Sequence, residues 1–284
     1  MKTVFTKIRL YWPLIKSLQT GLLVATGLAG YVTARCPVFN LPTMAGLFFS
    51  LIAAISGSTI LNMWWDRDID SKMGRTKKRP LAAKKINPHE AFWVGLVLSL
   101  FGVGLAVAMD PLYGLIIFAG LFIDVVIYTI WLKRRSCWSI IWGGISGGMP
   151  ILAGRILGLG SFDWVGIMLS LGILLWIPTH ILTFNMRYHD DYKAAGIPTF
   201  ASVYGFKITR LIIAISSILA AFAMGSAALG IGMAWGFLRL LGVLSIGLVV
   251  LAAIMIFRPS ERVNFGLFKY ASVYMFSSML LMVF

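Results

Sequence analysis

The chain has 284 residues, of which 59% are hydrophobic and 12% charged, with a formal net charge of +15. A soluble domain of this length needs far more polar surface, so the composition selects an all-α polytopic membrane protein whose outside faces lipid. The positive balance does not indicate nucleic acid, because the basic residues fall between hydrophobic segments, where topology determinants sit.

The opening stretch, MKTVFTKIRLYWPLIK, is basic and amphipathic and runs on without a small-residue cleavage site, so no cleavable signal is expected. A membrane crossing needs about 20 apolar residues. That test predicts nine transmembrane helices, at about 14–35, 43–64, 91–109, 112–131, 138–158, 163–185, 209–229, 235–257 and 265–284. No linker divides them, and 1–284 reads as a single membrane-embedded unit. The loops after the second, fourth, sixth and eighth segments are rich in Lys and Arg, and the intervening ones, such as AMDPLYG, are nearly free of them. The positive-inside rule then places the N-terminus and the basic loops in the cytoplasm and the C-terminus outside, in a cell membrane. Cys36 and Cys137 stand far apart without metal-ligand company and read as packing residues.

The second segment runs into NMWWDRDID, which places Asn62, Asp66 and Asp70 at i, i+4 and i+8. On a helix these drift by only about 40° per step and share one stripe, with Asp68 on another face beside Arg67 or Lys72. Two carboxylates and an amide are hard oxygen donors suited to Mg2+, which usually shares such ligands with substrate phosphates. SKMGRTKKRP follows, bringing Arg75, Lys77, Lys78 and Arg79 into one short loop as phosphate-binding cations. Five of the ten acidic residues lie in 66–70 and 190–191, which sets these stretches apart from ordinary helix flanks.

The loop after the fourth segment, YTIWLKRRS, puts Tyr128 and Lys133 near one face, with Arg134 and Arg135 adjacent. Asp124, Arg155 and Lys16 fall within or near apolar spans, so each is expected to face the bundle interior and find a partner. GGISGGMP in the fifth segment permits close helix packing. The sixth segment ends WIPTHILTFNMRYHDDYKAAGIPTF. There Pro178 interrupts the helix, and His180 lies at membrane depth. Asn185 and His189 share a face at i, i+4, and Asp190 and Asp191 form a paired-carboxylate step, a second metal or diphosphate anchor.

NMWWDRDIDSKMGRTKKRPL, VIYTIWLKRRS, WGGISGGMPILAG, IPTHILTF and DDYKAAGIP together resemble the UbiA-type intramembrane prenyltransferase superfamily, and within it the branch that transfers farnesyl to protoheme IX. The resemblance implies nine helices around a central cavity open to lipid, with Mg2+ as cofactor. Its implied partners are farnesyl diphosphate, protoheme IX, membrane lipid and downstream heme or respiratory-oxidase assembly proteins. It implies metal-site roles for Asn62, Asp66, Asp70, Asp190 and Asp191, and diphosphate binding by Arg79, Lys133 and Arg134. Arg75 and Lys78 join the diphosphate set, and His180, Asn185, His189, Tyr128 and Lys16 are candidates for acceptor contact or for supporting the site. Adjacent acids at 190–191 depart from the superfamily's more usual four-residue spacing, with Asn185 as a stand-in upstream ligand. A relative with another acceptor, such as a quinone precursor or lipid alcohol, has the same donor site. A cation-coupled transporter is the reading from another class, but it fits less well, because the acids gather at helix ends on one side of the membrane.

Overall fold

The structure is a computed structural model and describes residues 9–35 and 40–283. Cys36 and the first eight residues of the basic opening stretch lie outside the described residues. A short 3-10 turn, Trp12–Ile15, leads into α1 (Ser17–Arg35). The rest of the order is α2 (Leu41–Trp65), short α3 (Arg67–Lys72), α4 (Pro88–Met109), α5 (Pro111–Phe122), α6 (Ser139–Leu159) and α7 (Trp164–Arg187). Short α8 (His189–Ala194), α9 (Phe200–Ile231), α10 (Trp235–Phe257) and α11 (Glu261–Val283) complete it. A π-helix, Ile123–Leu132, continues α5, so that 111–132 forms one span.

Among the described residues eight helices are long and apolar enough to cross a membrane, one fewer than predicted. The difference is α1, where Gln19, Thr20, Thr26 and Thr33 dilute the apolar run. It packs inward as well: Val24, Tyr31 and Val32 are buried in a core shared with α2, α5 and α6. The other expected segments all form helices of their own, and the protein is an integral membrane protein. Lipid-facing Phe, Leu, Ile and Trp side chains remain widely exposed along α4, α9 and α10, as expected where the solvent for the outer surface is hydrocarbon.

Each long helix packs on the next in chain order, and α11 returns to α1, closing a ring. Inside it α1 crosses α6, and α7 contacts α11, and the helices pack their buried side chains into shared cores. Small residues set the close crossings. A Cβ at Gly154 of α6 would fall on the carbonyl oxygen of Gly27 in α1, and one at Gly30 would fall on that of Ile151. This is how membrane helices gain dispersion contact without a hydrophobic driving force between them. Loop entries carry their own signals: Asn40, Asn87, Asp110 and Asp163 each accept a hydrogen bond from a first-turn backbone N–H. Arg155, buried in α6, is held by Asp163 at 2.8 Å and donates to Thr33 Oγ1 at 3.1 Å, which supplies the interior partner expected of it.

Candidate active site

The helix carrying the first acidic motif turns a corner at Asp66, between α2 and α3. Backbone hydrogen bonds from Asp66 N to Asn62 O (2.9 Å) and from Asp70 N to Asp66 O (2.8 Å) carry the i, i+4 register through it. Asn62, Asp66 and Asp70 are consequently all buried, at 8%, 4% and 5% exposure. Burying two carboxylates is tolerable only if each is paired. Asp70 receives Arg79 Nη1 on both oxygens, at 2.8 and 2.9 Å. Asp66 pairs with Lys133 Nζ, and Arg134 Nη2 lies 3.8 Å from its other oxygen.

Asp68 takes neither predicted partner. It binds Arg134 through two hydrogen bonds of 2.7 and 2.8 Å, because it projects from the other side of α3 toward the loop after the π-helix. The Arg134 guanidinium holds the Asp68 carboxyl below the usual carboxylate range. Arg134 also donates to Trp65 O at 2.8 Å and lies over the Trp65 ring, so Trp65 helps seat a cation. Trp64 packs against Phe92 and carries Arg67 on its face. Lys133 stands 5.7 Å from the centre of the Tyr128 ring. Lys16, at a left-handed turn (φ 46°) before α1, stands in the electrostatic field of Arg79, Lys133, Asp124 and Asp66.

The second acidic motif reaches the basic loop that follows the first. Asp191 accepts from the backbone N–H groups of Gly74 (3.3 Å) and Arg75 (3.4 Å). Beneath this contact Ile69 and Met73 pack with Ala195 and Ile197. Arg75 lies over the Phe184 and Tyr188 rings. Adjacent residues on a helix point about 100° apart: Asp191 faces the Gly74 loop, and Asp190 is exposed on α8. Among the described residues no group of three or more His, Cys, Asp or Glu side chains is arranged to hold a metal. Two carboxylates suffice for Mg2+ when substrate phosphates complete the shell. The donor chemistry fits that ion: the buried Oδ1 atoms of Asp66 and Asn185 accept no hydrogen bond.

His180 is stacked between Trp176 and Phe268, with ring centroids 4.9 and 4.4 Å away, and its Nδ1 lies 3.2 Å from Ser272 Oγ. Those partners belong to α7 and α11 and not to the acidic motifs. His189 packs on Phe206, and its Nδ1 is buried without a hydrogen-bond partner. Arg75, Lys78 and Arg79 line a cleft of about 500 Å³ together with Arg9 and Lys85. These last two cations were not singled out in the sequence, where Arg9 reads as part of the amphipathic start and Lys85 as one charge among many in its loop.

Residues 23–278 match the UbiA prenyltransferase family. The protoheme IX farnesyltransferase of Archaeoglobus fulgidus is 41% identical over 202 residues, covering 71% of this chain and 70% of the relative. That of Pyrobaculum islandicum is 33% identical over 282 residues, covering 96% of this chain and 99% of the relative. Among solved structures, one of digeranylgeranylglyceryl phosphate synthase has a TM-score of 0.82 at 18% identity, over 98% of each chain. A UbiA homolog from Archaeoglobus fulgidus bound to GPP and Mg2+ has a TM-score of 0.71 at 14% identity, over 96% of this chain and 99% of that one. At such identities these two speak for the fold alone. The family match over most of the sequence, with relatives aligned along nearly its full length, establishes that the chain belongs to the UbiA prenyltransferase family.

Proposed function

We propose that this protein transfers a farnesyl group from farnesyl diphosphate to a vinyl group of protoheme IX, giving heme O, at the cytoplasmic end of the helix bundle. The observation that carries the reading is the convergence of Asp66 and Asp70 with Lys133, Arg134 and Arg79 at helix ends, in a chain whose relatives are protoheme IX farnesyltransferases. Asn62, Asp66 and Asp70 are the residues to hold Mg2+, with Asn185 and Asp191 contributing from the second motif. Bound there, the ion supplies neutralisation of charge developing on the departing diphosphate.

The chain's own cations do the rest of the leaving-group work. Arg79, Lys133 and Arg134, held in place by the acids, donate to diphosphate oxygens as the allylic C–O bond breaks. The allylic carbon then bonds to the terminal vinyl carbon, and water delivers hydroxyl to the adjoining position with loss of a proton. Apolar walls around the isoprenoid keep bulk water from intercepting the first cation.

Purified protein supplied with hemin, farnesyl diphosphate and Mg2+ is expected to yield a product of the mass of heme O. Labelling of a lipid alcohol or an aromatic acid, with heme untouched, rejects the heme acceptor. Asp66→Ala and Asp70→Ala are each expected to lower turnover by about 100-fold or more while eluting as folded protein in detergent. Unchanged turnover in both variants refutes the leaving-group clamp.

A further inference from the structure

Asp124 is a carboxylate inside the α5 span, and the prenyl-transfer chemistry above leaves it without a task. An ionisable side chain at membrane depth is costly and marks function by default. Its Oδ2 receives two hydrogen bonds from one face of α2: one from Ser58 Oγ, and one of 2.8 Å from Asn62 Nδ2. On its other side Asn62 accepts from Thr129 Oγ1 at 2.9 Å. The amide is thus gripped at both ends by residues of a single segment.

The π-helix makes this grip possible. Asp124 and Thr129 are five residues apart, a spacing that on an α-helix turns side chains about 140° away from each other. Hydrogen bonding from i to i−5, as from Lys133 N to Tyr128 O at 2.8 Å, brings residues five apart onto one face. The same widened turns place Tyr128 and Lys133 beside the acidic motif.

An ionised carboxylate only accepts, so it dictates which end of an amide it meets. We propose that Asp124 is a positioning residue: it takes the NH2 group of Asn62 and so fixes the Asn62 carbonyl oxygen in the orientation used at the metal–diphosphate site. The inference rests on the proposed role of Asn62 in that site. Outer groups that orient a ligand typically change metal affinity by about 10- to 100-fold when altered.

Asp124→Asn tests it, because it preserves shape but can donate as well as accept and no longer imposes one orientation on Asn62. Mn2+ binding is followed by electron paramagnetic resonance with an unreactive farnesyl thiodiphosphate, alongside the Mg2+ dependence of turnover and the KM for protoheme. We expect Mn2+ affinity about tenfold weaker, a matching rise in the Mg2+ needed for half-maximal turnover, and an unchanged KM for protoheme. Ser58→Ala, which removes the other donor to Asp124, shifts Mn2+ affinity the same way by less, and carries the test if Asp124→Asn does not fold. Wild-type Mn2+ affinity in a folded Asp124→Asn, or in Ser58→Ala should that variant stand alone, overturns the assignment. Absence of diphosphate-dependent Mn2+ binding in the wild type overturns the metal reading itself and this inference with it.

Discussion

Asp70 shows how tightly the residue-scale electrostatics are drawn: a carboxylate 5% exposed whose two oxygens share one guanidinium nitrogen. Removing one partner of such a pair leaves a buried uncompensated charge, and that is worse than removing both. Arg79→Ala is therefore expected to destabilise the protein by about 3 kcal/mol, and adding Asp70→Ala to recover part of it. Melting temperatures of the two single variants and the double variant in detergent check this, and strict additivity of the shifts counts against it. The acidic stripe was legible from spacing alone. The partner of Asp68 was not, because Arg134 lies 66 residues away and becomes a neighbour only when the π-helix ends beside α3.

At the scale of elements, glycines decide how closely helices approach. The WGGISGGMPILAG stretch was readable as a packing face, and α6 uses it against α1, α5 and α7. Which helix each glycine meets depends on the ring order and is not encoded locally. Gly154→Val forces side-chain volume onto the Gly27 carbonyl of α1. Overpacking of this kind typically costs about 1–3 kcal/mol, so the variant should melt lower than wild type. Gly21→Val, with open space around its Cβ position, serves as the comparison, and equal melting of the two variants refutes the close-crossing account. The π-helical turns at 123–132 escaped the sequence reading because an apolar run of that length satisfies the α-helical period equally well. Only the demand of Asn62 for two partners five residues apart distinguishes them.

Across the whole molecule, the second acidic motif meets the loop that follows the first, and Asp191 accepts from the Gly74 and Arg75 backbone 117 and 116 residues away. This contact joins the loop after α3 to α8 above the Ile69, Met73, Ala195 and Ile197 cluster. Each such hydrogen bond contributes about 1 kcal/mol net. Asp191→Ala is expected to speed hydrogen exchange at the Gly74 and Arg75 amides by about fivefold, with little change in α4. Exchange at wild-type rates shows that the loop is held by the apolar cluster alone.

The membrane class, the positions of the long helices and the acidic and basic stretches were all legible in the sequence, because they follow from local periodicity, length and charge. Eight of the nine expected segments are long and apolar enough to cross a membrane among the described residues, and the ninth, at 14–35, forms the 19-residue helix α1, whose glutamine and threonines make it less apolar than the rest. The tertiary structure alone decided the pairings: Asp66 with Lys133, Asp68 with Arg134, Asp191 with the Gly74 loop, and Asp124 with Asn62. Such contacts depend on how separate helices cross, and a buried charge takes whichever partner those crossings bring within hydrogen-bonding reach.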